Sequence, residues 1–293
     1  MLSSHMNTTR WFISILILLS LASALATAER ICIREKVETG QFAGHPMSHP
    51  ETLKIVSLNM HEEQSVDIIA EGLQQNGEIA DSHILPLQEI AENPGTGANL
   101  LALVAERLQL NYSQAIEERL PNGGSHGLAI LSHYPLRDPE VIYLKRVKVK
   151  HNNRCRIAVG ATVDTDLGSV RVFGTHLDTR INADRRWEQL EPIAEAAGKF
   201  SGPALIGGEL NTQNLYWVEN LLPVPFFHRQ GRKIRDHFEE HDFLTPCTDT
   251  GRTHSWAPLK LGWIYVRNME TVQKRITGIS FSDHRALWVE VKF

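Results

Sequence analysis

The chain has 293 residues, of which 42% are hydrophobic and 22% are charged, a balance typical of a globular protein with a large core. Its formal net charge of −4 excludes the strong overall positive field of a protein that binds DNA tightly and non-specifically. A nuclease is still compatible with this charge.

The first 28 residues have the pattern of a secretory signal peptide. Arg10 gives a positively charged start, residues 11–22 form an apolar run, and Ala26-Thr27-Ala28 is a small-x-small cleavage site. The alternative is an uncleaved membrane anchor, but the apolar run is shorter than the roughly 20 residues that a spanning helix needs. The sequence therefore predicts a secreted or periplasmic protein with no stable membrane span after cleavage.

Residues 29–52 are predicted to be a linker, and the folded domain is expected to cover residues 53–293. Three cysteines, Cys32, Cys155 and Cys247, are an odd number for an exported protein. They allow one disulfide with one free thiol, or three buried thiols, and their spacing fits no zinc motif.

The first half of the domain is predicted to alternate between strands and helices. The predicted elements are strands at residues 53–59 and 84–89 and helices at residues 62–75 and 96–108. Pro86 removes a backbone donor, so the second strand is expected at a sheet edge or a bulge. Thr96 is the expected cap of the second helix.

The middle of the chain is predicted to be rich in β-structure. The predicted strands are residues 127–132, 141–149, 156–163 and 169–174. Six basic residues and no acidic ones lie between Val141 and Val163. Alternation places Lys148 and Lys150 on one outward face, which indicates either a lysine-protected edge strand or a local phosphate-facing patch.

After a helix predicted at residues 183–200, the chain enters a short buried strand, residues 204–206. Two glycines follow and then Glu209 and Asn211, at the carboxyl end where α/β folds place their ligand sites. Four other predicted strand ends are also polar. The polar residues at the five ends are Asn59, Gln88 and Glu89, His176 and Asp178, Glu209 and Asn211, and Asp283 and His284.

These side chains together indicate a hydrolytic site. Carboxylates and amides suit magnesium, calcium or manganese rather than zinc. Histidines beside them can donate to a phosphoryl oxygen or transfer a proton. A hard cation with imidazoles suits hydrolysis of a phosphate ester by metal-assisted attack of water.

The order of these motifs resembles the endonuclease/exonuclease/phosphatase superfamily, which includes deoxyribonuclease I, apurinic endonucleases, sphingomyelinases and inositol polyphosphate 5-phosphatases. The motifs are Leu58-Asn59, Leu87-Gln88-Glu89, Gly127-Leu128-Ala129-Ile130-Leu131-Ser132, Thr175-His176-Leu177-Asp178, Gly208-Glu209-Leu210-Asn211 and Ser282-Asp283-His284. The resemblance covers about residues 53–293. It implies an α/β fold, a four-layer sandwich of two mixed β-sheets packed face to face with helices on the outer faces.

The resemblance also implies a role for each site residue. The implied ligands of Mg²⁺, or of Mn²⁺ or Ca²⁺, are Asn59, Glu89 and Asp283. The residues implied to act on the substrate are His176 and His284 at the scissile phosphate, Glu209 as the group that activates water, and Asn211, which would orient it.

Two positions depart from the family pattern. Glu209 stands where the family has an aspartate, and Gly262 stands where an aspartate supports the histidine that is His284 here. Both departures affect proton transfer, so the sequence predicts that Gly262→Asp raises turnover. The alternative is an impaired relative that binds phosphoesters without hydrolysing them. The substrate stays open between nucleic acid, phospholipid and inositol phosphate, and we expect a monomer.

A zinc peptidase is a competing hypothesis, because residues 237–241 match the motif H-x-x-E-H. That motif needs a helix and a downstream carboxylate ligand. Few residues remain after it and Thr245-Pro246 closes the segment, so a chance match is the preferred interpretation.

Overall fold

A computed structural model of the chain describes residues 31–32, 34–44, 51–94, 99–147, 149, 154–225 and 229–293. The predicted signal peptide therefore lies outside the described residues. The same is true of the predicted helix cap Thr96 and of Lys148 and Lys150, whose shared face stays a prediction.

The described part of the chain contains fifteen strands and four helices. The strands are β1 (Ile31–Cys32), β2 (Glu38–Gly40), β3 (Leu53–Asn59), β4 (Ile84–Glu92), β5 (Asn111–Arg119), β6 (Ser125–Ser132), β7 (Leu136–Tyr143), β8 (Ile157–Thr165), β9 (Gly168–His176), β10 (Ala204–Glu209), β11 (Leu215–Val218), β12 (Leu222–Pro225), β13 (Gly262–Arg267), β14 (Glu270–Thr277) and β15 (Ala286–Lys292). The helices are α1 (Val66–Gln75), α2 (Leu100–Leu108), α3 (Ala183–Gly198) and α4 (Arg229–Glu239).

The strands form two mixed sheets and a separate hairpin. The first sheet has eight strands in the order β1-β5-β6-β4-β3-β15-β14, with β2 also paired to β5. The second sheet has five strands in the order β13-β10-β9-β8-β7, and β11 pairs with β12. Each large sheet contains one parallel pair, β3 with β4 and β9 with β10, among antiparallel neighbours.

The predicted four-layer sandwich is confirmed by the packing of these sheets. Ile55 of β3 and Leu205 of β10 belong to one buried apolar cluster between the inner faces. Because strand side chains alternate, Val56 points to the outer face of the first sheet and packs in a cluster with α1 and α2. Ile206 packs in the same way with α3 and α4 on the second sheet.

Pro86 does not lie in an edge strand, so that part of the prediction is wrong. β4 is central in its sheet, between β3 and β6. The pairing with β3 includes Ile84 and Leu87 but not Pro86, and the pairing with β6 shifts register between Leu87 and Ile90. Pro86 itself stays in register with Ile130 of β6, one residue before the shift begins.

The strand predicted at residues 141–149 ends earlier in the structure. β7 is an edge strand, but it ends at Tyr143, and residues 144–147 are irregular. Arg156, one of the six basic residues, is buried, with its guanidinium 3.1 Å from Asp178 and 3.3 Å from Glu117. This residue therefore cannot belong to a surface phosphate patch.

The cysteines and the predicted linker contribute to the domain. Cys32 and Cys155 form a disulfide with a Cα–Cα distance of 5.4 Å, and Cys247 is a buried free thiol. Both β1 and β2, which lie inside residues 29–52, pair with β5 at the edge of the first sheet. None of the helices in the described ranges is long and apolar enough to cross a membrane.

Candidate active site

The carboxyl ends of strands from both sheets meet at one edge of the sandwich. Asn59 ends β3 in the first sheet, and Glu209 ends β10 in the second. The Nδ2 amide of Asn59 donates a hydrogen bond of 2.6 Å to Glu209 Oε2, which joins the two sheets directly. His176 lies beside Glu209 in the parallel pairing of β9 with β10. Strand register therefore assembles three of the predicted site residues.

Unusual backbone conformations occur at two more of the predicted residues. Glu89 has a φ of +54° and lies within the register shift of β4, which takes its side chain out of the regular alternation. Asn211 also has a φ of +54°. Side chains seldom occupy this left-handed region unless their surroundings hold them there, and such residues are enriched at functional sites.

Gly208 allows β10 to approach β9 closely just before Glu209. Its φ is +151°, and an added Cβ would lie 1.9 Å from the carbonyl oxygen of Thr175 on β9. Only glycine tolerates this contact and this backbone angle. The glycine therefore fixes the distance between the carboxylate of Glu209 and the imidazole of His176.

Glu89, His176 and Glu209 form the central cluster of the site. His176 Nδ1 lies 3.7 Å from Glu89 Oε1, and His176 Nε2 lies 3.7 Å from Glu209 Oε1. One potential ligand atom from each of the three lies within 4.8 Å of the others. With the amide of Asn59 beside them, two carboxylates make this an oxygen-rich set that fits a hard divalent cation.

Burial shifts the pKa values of two members of this cluster. Desolvation lowers the pKa of His176 well below its ordinary value, and the positive charge of Arg156 lowers it further. The imidazole is therefore neutral at pH 7. Desolvation raises the pKa of Glu209, and the charge of Glu89 adds to the rise, whereas His284 and the hydrogen bond from Asn59 oppose it. A buried carboxyl group with a raised pKa suits a residue that accepts a proton.

Asp283 lies in a second cluster with three histidines. Its Oδ1 is 3.0 Å from His61 Nδ1 and 3.7 Å from His284 Nε2, and its Oδ2 is 3.8 Å from His254 Nε2. His284 Nδ1 lies 3.7 Å from Glu209 Oε2, so the two clusters adjoin. His61 and His254 were not predicted as site residues, because both lie in loops outside the strand-end motifs.

The hydrogen bonds of His254 decide how this second cluster can act. Its Nδ1 accepts the backbone N–H groups of Trp256 and Ala257, each at 3.1 Å. The proton of the neutral ring is therefore on Nε2, which faces Asp283. A nitrogen that carries a proton offers no lone pair to a metal, so His254 is suited to donate a hydrogen bond rather than to bind a cation.

Asn211 and a buried arginine shape the floor of the site. Asn211 Nδ2 donates to the carbonyl of Leu177 at 2.9 Å, and its Oδ1 is buried with no hydrogen-bond partner among the described residues. That free acceptor fits the predicted role of holding a water molecule. Arg186 of α3 donates to the carbonyl oxygens of Asp178 and Leu210 at 2.6 and 2.9 Å, which holds the two loops together.

Gly262 lies directly opposite Glu209 in the antiparallel pairing of β10 with β13. The hydroxyl of Thr253 accepts the backbone N–H groups of Leu261 and Gly262 at 2.8 and 2.9 Å. The position therefore lies beside Glu209 but supplies no side chain to the site.

The structure distributes the predicted site residues over adjoining groups. Those in contact around the central cluster are Asn59, Glu89, His176, Glu209 and His284. Asp283 lies beyond His284, and Asn211 lies below the loop after β9. Sequence reasoning missed Arg156 and Arg186, since a buried arginine has no pattern that distinguishes it from a surface one.

The zinc-peptidase motif is not assembled as a metal site. α4 ends at Glu239, so the motif runs past the end of the helix. The rings of His237 and His241 instead contact Trp187, at centroid distances of 4.7 and 5.5 Å. Within the described ranges, neither histidine belongs to a group of three potential metal ligands.

The site can be compared with known proteins. Residues 56–284 match the profile of the Endonuclease/Exonuclease/phosphatase family, and no curated protein matches the sequence significantly. An endonuclease/exonuclease/phosphatase from Beutenbergia cavernae has a similar structure, with a TM-score of 0.67 and 17% identity over 83% of this chain and 72% of that one.

Two further solved structures are similar over nearly their full length. The mannosyl-6-phosphatase of Bacteroides thetaiotaomicron has a TM-score of 0.54 and 15% identity over 82% of this chain and 100% of that one. The human Nocturnin catalytic domain with a bound sulfate anion has a TM-score of 0.58 and 14% identity over 91% of this chain and 97% of that one.

At these identities the structural likeness concerns the fold, whereas the profile match spans most of the chain and includes the strand-end motifs. The fold and the matched profile are those of an α/β-sandwich family whose members hydrolyse phosphate esters. The chain belongs to the Endonuclease/Exonuclease/phosphatase family.

Proposed function

We propose that the protein is a monomeric, divalent-cation-dependent phosphoesterase that hydrolyses a phosphate ester by attack of water. The observation that carries this proposal is the cluster of Glu89, His176 and Glu209, which lies where the two sheets meet and is completed by Asn59. Hydrolysis of a phosphate ester needs a cation, hydrogen-bond donors and a proton acceptor in one place. Glu89 and Asn59 supply ligands for the cation, His176 supplies a hydrogen-bond donor, and Glu209 supplies the proton acceptor.

The donor set supports a hard cation such as Mg²⁺, with Mn²⁺ or Ca²⁺ as the alternatives. Asn59, Glu89 and Asp283 would hold it, and the carboxylate of Glu89 is the partly exposed member of the central cluster. A bound divalent cation neutralises charge on phosphate oxygens and lowers the pKa of water. His254 is excluded from the ligand set by its protonated Nε2.

The protein's own groups account for orientation and proton transfer. The buried Glu209 accepts a proton from the attacking water, and the unpartnered Oδ1 of Asn211 accepts a hydrogen bond from the same water. The neutral imidazole of His176 donates to a phosphate oxygen without adding a full positive charge. His284 contacts the phosphate from the side of Asp283.

A panel of phosphate esters tests the substrate class. Nucleic acid, phospholipid and inositol phosphate are included because the sequence motifs leave them open. A sugar phosphate is added because a mannosyl-6-phosphatase shares the fold. The catalytically impaired alternative is supported by the two departures at Glu209 and Gly262, and it predicts binding of these compounds without turnover.

The test of the proposed function is Glu89→Gln, assayed on this panel with Mg²⁺ and with excess chelator. Glu89→Gln replaces a metal-binding carboxylate by an amide of the same shape, so the fold should be retained. Residues that only hydrogen-bond to a metal ligand typically contribute about 10–100-fold to activity, and the loss of turnover in Glu89→Gln should be larger than that. Glu71→Gln on the exposed face of α1 is the matched control and should leave turnover unchanged. Full activity of the Glu89 variant, or of the wild type in chelator, would contradict the proposal.

We also propose that the protein is exported. The disulfide between Cys32 and Cys155 supports this, because such bonds form and persist mainly in oxidising compartments. The signal-like pattern of residues 1–28 agrees with the same localisation.

A further inference from the structure

The two positions at which this chain departs from its family are neighbours in space. Glu209 on β10 and Gly262 on β13 are Cα partners in an antiparallel pair. Directly opposed residues of such a pair project their side chains on the same face, with Cβ atoms about 5 Å apart. A carboxylate at either position can therefore reach the same region of the site.

The carboxylate of Glu209 lies between two histidines and an amide. Its Oε2 accepts the hydrogen bond from Asn59 and lies 3.7 Å from His284 Nδ1. Its Oε1 lies 3.7 Å from His176 Nε2. The extra methylene of glutamate, compared with aspartate, is what extends the carboxylate towards His284.

We propose that Glu209 is the carboxylate that orients His284, in place of the aspartate that is absent at position 262. In this chain the carboxylate is carried by β10, at the residue that faces position 262 of β13. The two departures then compensate for each other, and neither has to reduce activity. This inference rests on the proposed phosphoesterase function and adds a positioning role for Glu209 to its role as proton acceptor.

The contacts of His284 explain why this orientation matters. Its Nε2 lies 3.7 Å from Asp283 Oδ1, while that same oxygen is 3.0 Å from His61. Both ring nitrogens of His284 therefore lie 3.7 Å from a carboxylate oxygen, Nδ1 from Glu209 and Nε2 from Asp283. Because Asp283 would be engaged as a ligand of the cation, Glu209 is the carboxylate left to hold the proton at Nδ1. Without a partner at Nδ1, the ring can adopt the other tautomer and rotate out of position.

Position 262 has room for the aspartate that this chain lacks. A Cβ built on Gly262 has atoms of Thr253 as its nearest neighbours, at 3.6–3.7 Å, which is ordinary van der Waals contact. No positive φ opposes a side chain there. The family arrangement can therefore be restored by substitution, which makes the proposal testable by rescue.

The position of Glu209 changes what we expect of Gly262→Asp. The sequence alone predicts a gain in turnover, whereas a histidine that already has a carboxylate partner should gain little. Glu209→Asp should lower kcat by about 10–100-fold, because the shortened side chain withdraws from His284. The double variant Glu209→Asp with Gly262→Asp should recover most of that loss, since an aspartate at 262 then supports the ring.

The rescue distinguishes a positioning role from a role in proton transfer alone. If Glu209 acted only as a base, the effects of the two substitutions would be independent. Wild-type activity in Glu209→Asp, or a double variant no faster than Glu209→Asp, would overturn the proposal. Gly77→Asp, at an open position beyond the end of α1, is the matched control for the added charge and should leave turnover unchanged.

A second measurement does not depend on activity. The tautomer of His284 is read from ¹⁵N NMR spectra of the protein in saturating Mg²⁺ at one fixed pH, in the wild type and in the variants. We expect the Nδ1–H tautomer in the wild type and in the double variant, and a mixture in Glu209→Asp and Glu209→Gln. An Nε2–H tautomer in the wild type would refute the inference. A wild type that is inert on every phosphoester but has the Nδ1–H tautomer would refute the proposed function alone.

Discussion

A buried arginine, Arg156, stabilises the loop that carries His176. Arg156 is fully enclosed and pairs with two buried carboxylates, Glu117 and Asp178. Asp178 also accepts a hydrogen bond of 2.8 Å from Gln189 of α3. Because Asp178 follows His176 by two residues, this network fixes the loop from which His176 is presented.

Removing the guanidinium should destabilise the protein strongly. Arg156→Ala leaves two buried carboxylates without their cation, and we expect a loss of about 3–5 kcal/mol in the free energy of unfolding. Chemical denaturation measures this loss. Arg107→Ala is the control, because the pair of Arg107 with Asp67 is exposed and should contribute no more than about 1 kcal/mol. Equal effects of the two substitutions would contradict the structural role of Arg156.

At the scale of elements, the site depends on how closely two parallel strands approach each other. Gly207 and Gly208 are adjacent in β10, but only Gly208 faces the backbone of β9 at less than contact distance. A Cβ at Gly207 would have its nearest neighbours at 3.5–3.7 Å. Substitution of each glycine by alanine therefore compares a crowded and an uncrowded position in the same strand.

Gly208→Ala should be much more damaging than Gly207→Ala. The first substitution drives a methyl group into the carbonyl of Thr175 and should cost about 3 kcal/mol of stability. The second should change stability by no more than about 1 kcal/mol. Thermal unfolding of both variants checks the difference, and a Gly208 variant as stable as the Gly207 variant would mean that the strands can separate at little cost.

The sequence predicts elements well where apolar periodicity reflects burial. β3 is fully buried and its predicted bounds agree with the structure, as does the end of α1. β5 was missed because it carries buried polar residues, including Glu117 and Glu118, in place of apolar ones. Burial of such groups is decided by partners far along the chain, such as Arg156, and a local pattern does not contain those partners.

Other elements were missed because few of their residues are apolar. α4 is charged on most of its surface and buries only Gly231, Ile234 and Phe238, so its apolar stripe is too sparse to detect. β14 is an edge strand with mostly polar residues. His254 joins the site through a bridge to His284 across two loops, which strand-end reasoning cannot anticipate.

At the scale of the whole molecule, the disulfide connects the amino-terminal edge to the rest of the domain. Cys32 and Cys155 are 123 residues apart in sequence, and Cys155 is next to the buried Arg156. Long loops closed by a disulfide lose much of their entropy in the unfolded state. The bond therefore ties the amino-terminal strands to the buried network under the site.

Export and formation of the disulfide can be tested in one experiment. When the protein is expressed with residues 1–28 and recovered outside the cytosol, it should begin at Glu29. Cys32 and Cys155 should not react with an alkylating agent, because they form the disulfide. Cys247 should react only after unfolding, because its thiol is buried. Mass spectrometry before and after reduction and alkylation measures both properties. Cys32→Ser should lower the free energy of unfolding by about 2–5 kcal/mol. Cys247→Ser, the control, should leave the Cys32–Cys155 bond in place. Retention of Met1 would contradict signal cleavage, and reduced Cys32 and Cys155 in the recovered protein would contradict an oxidising destination.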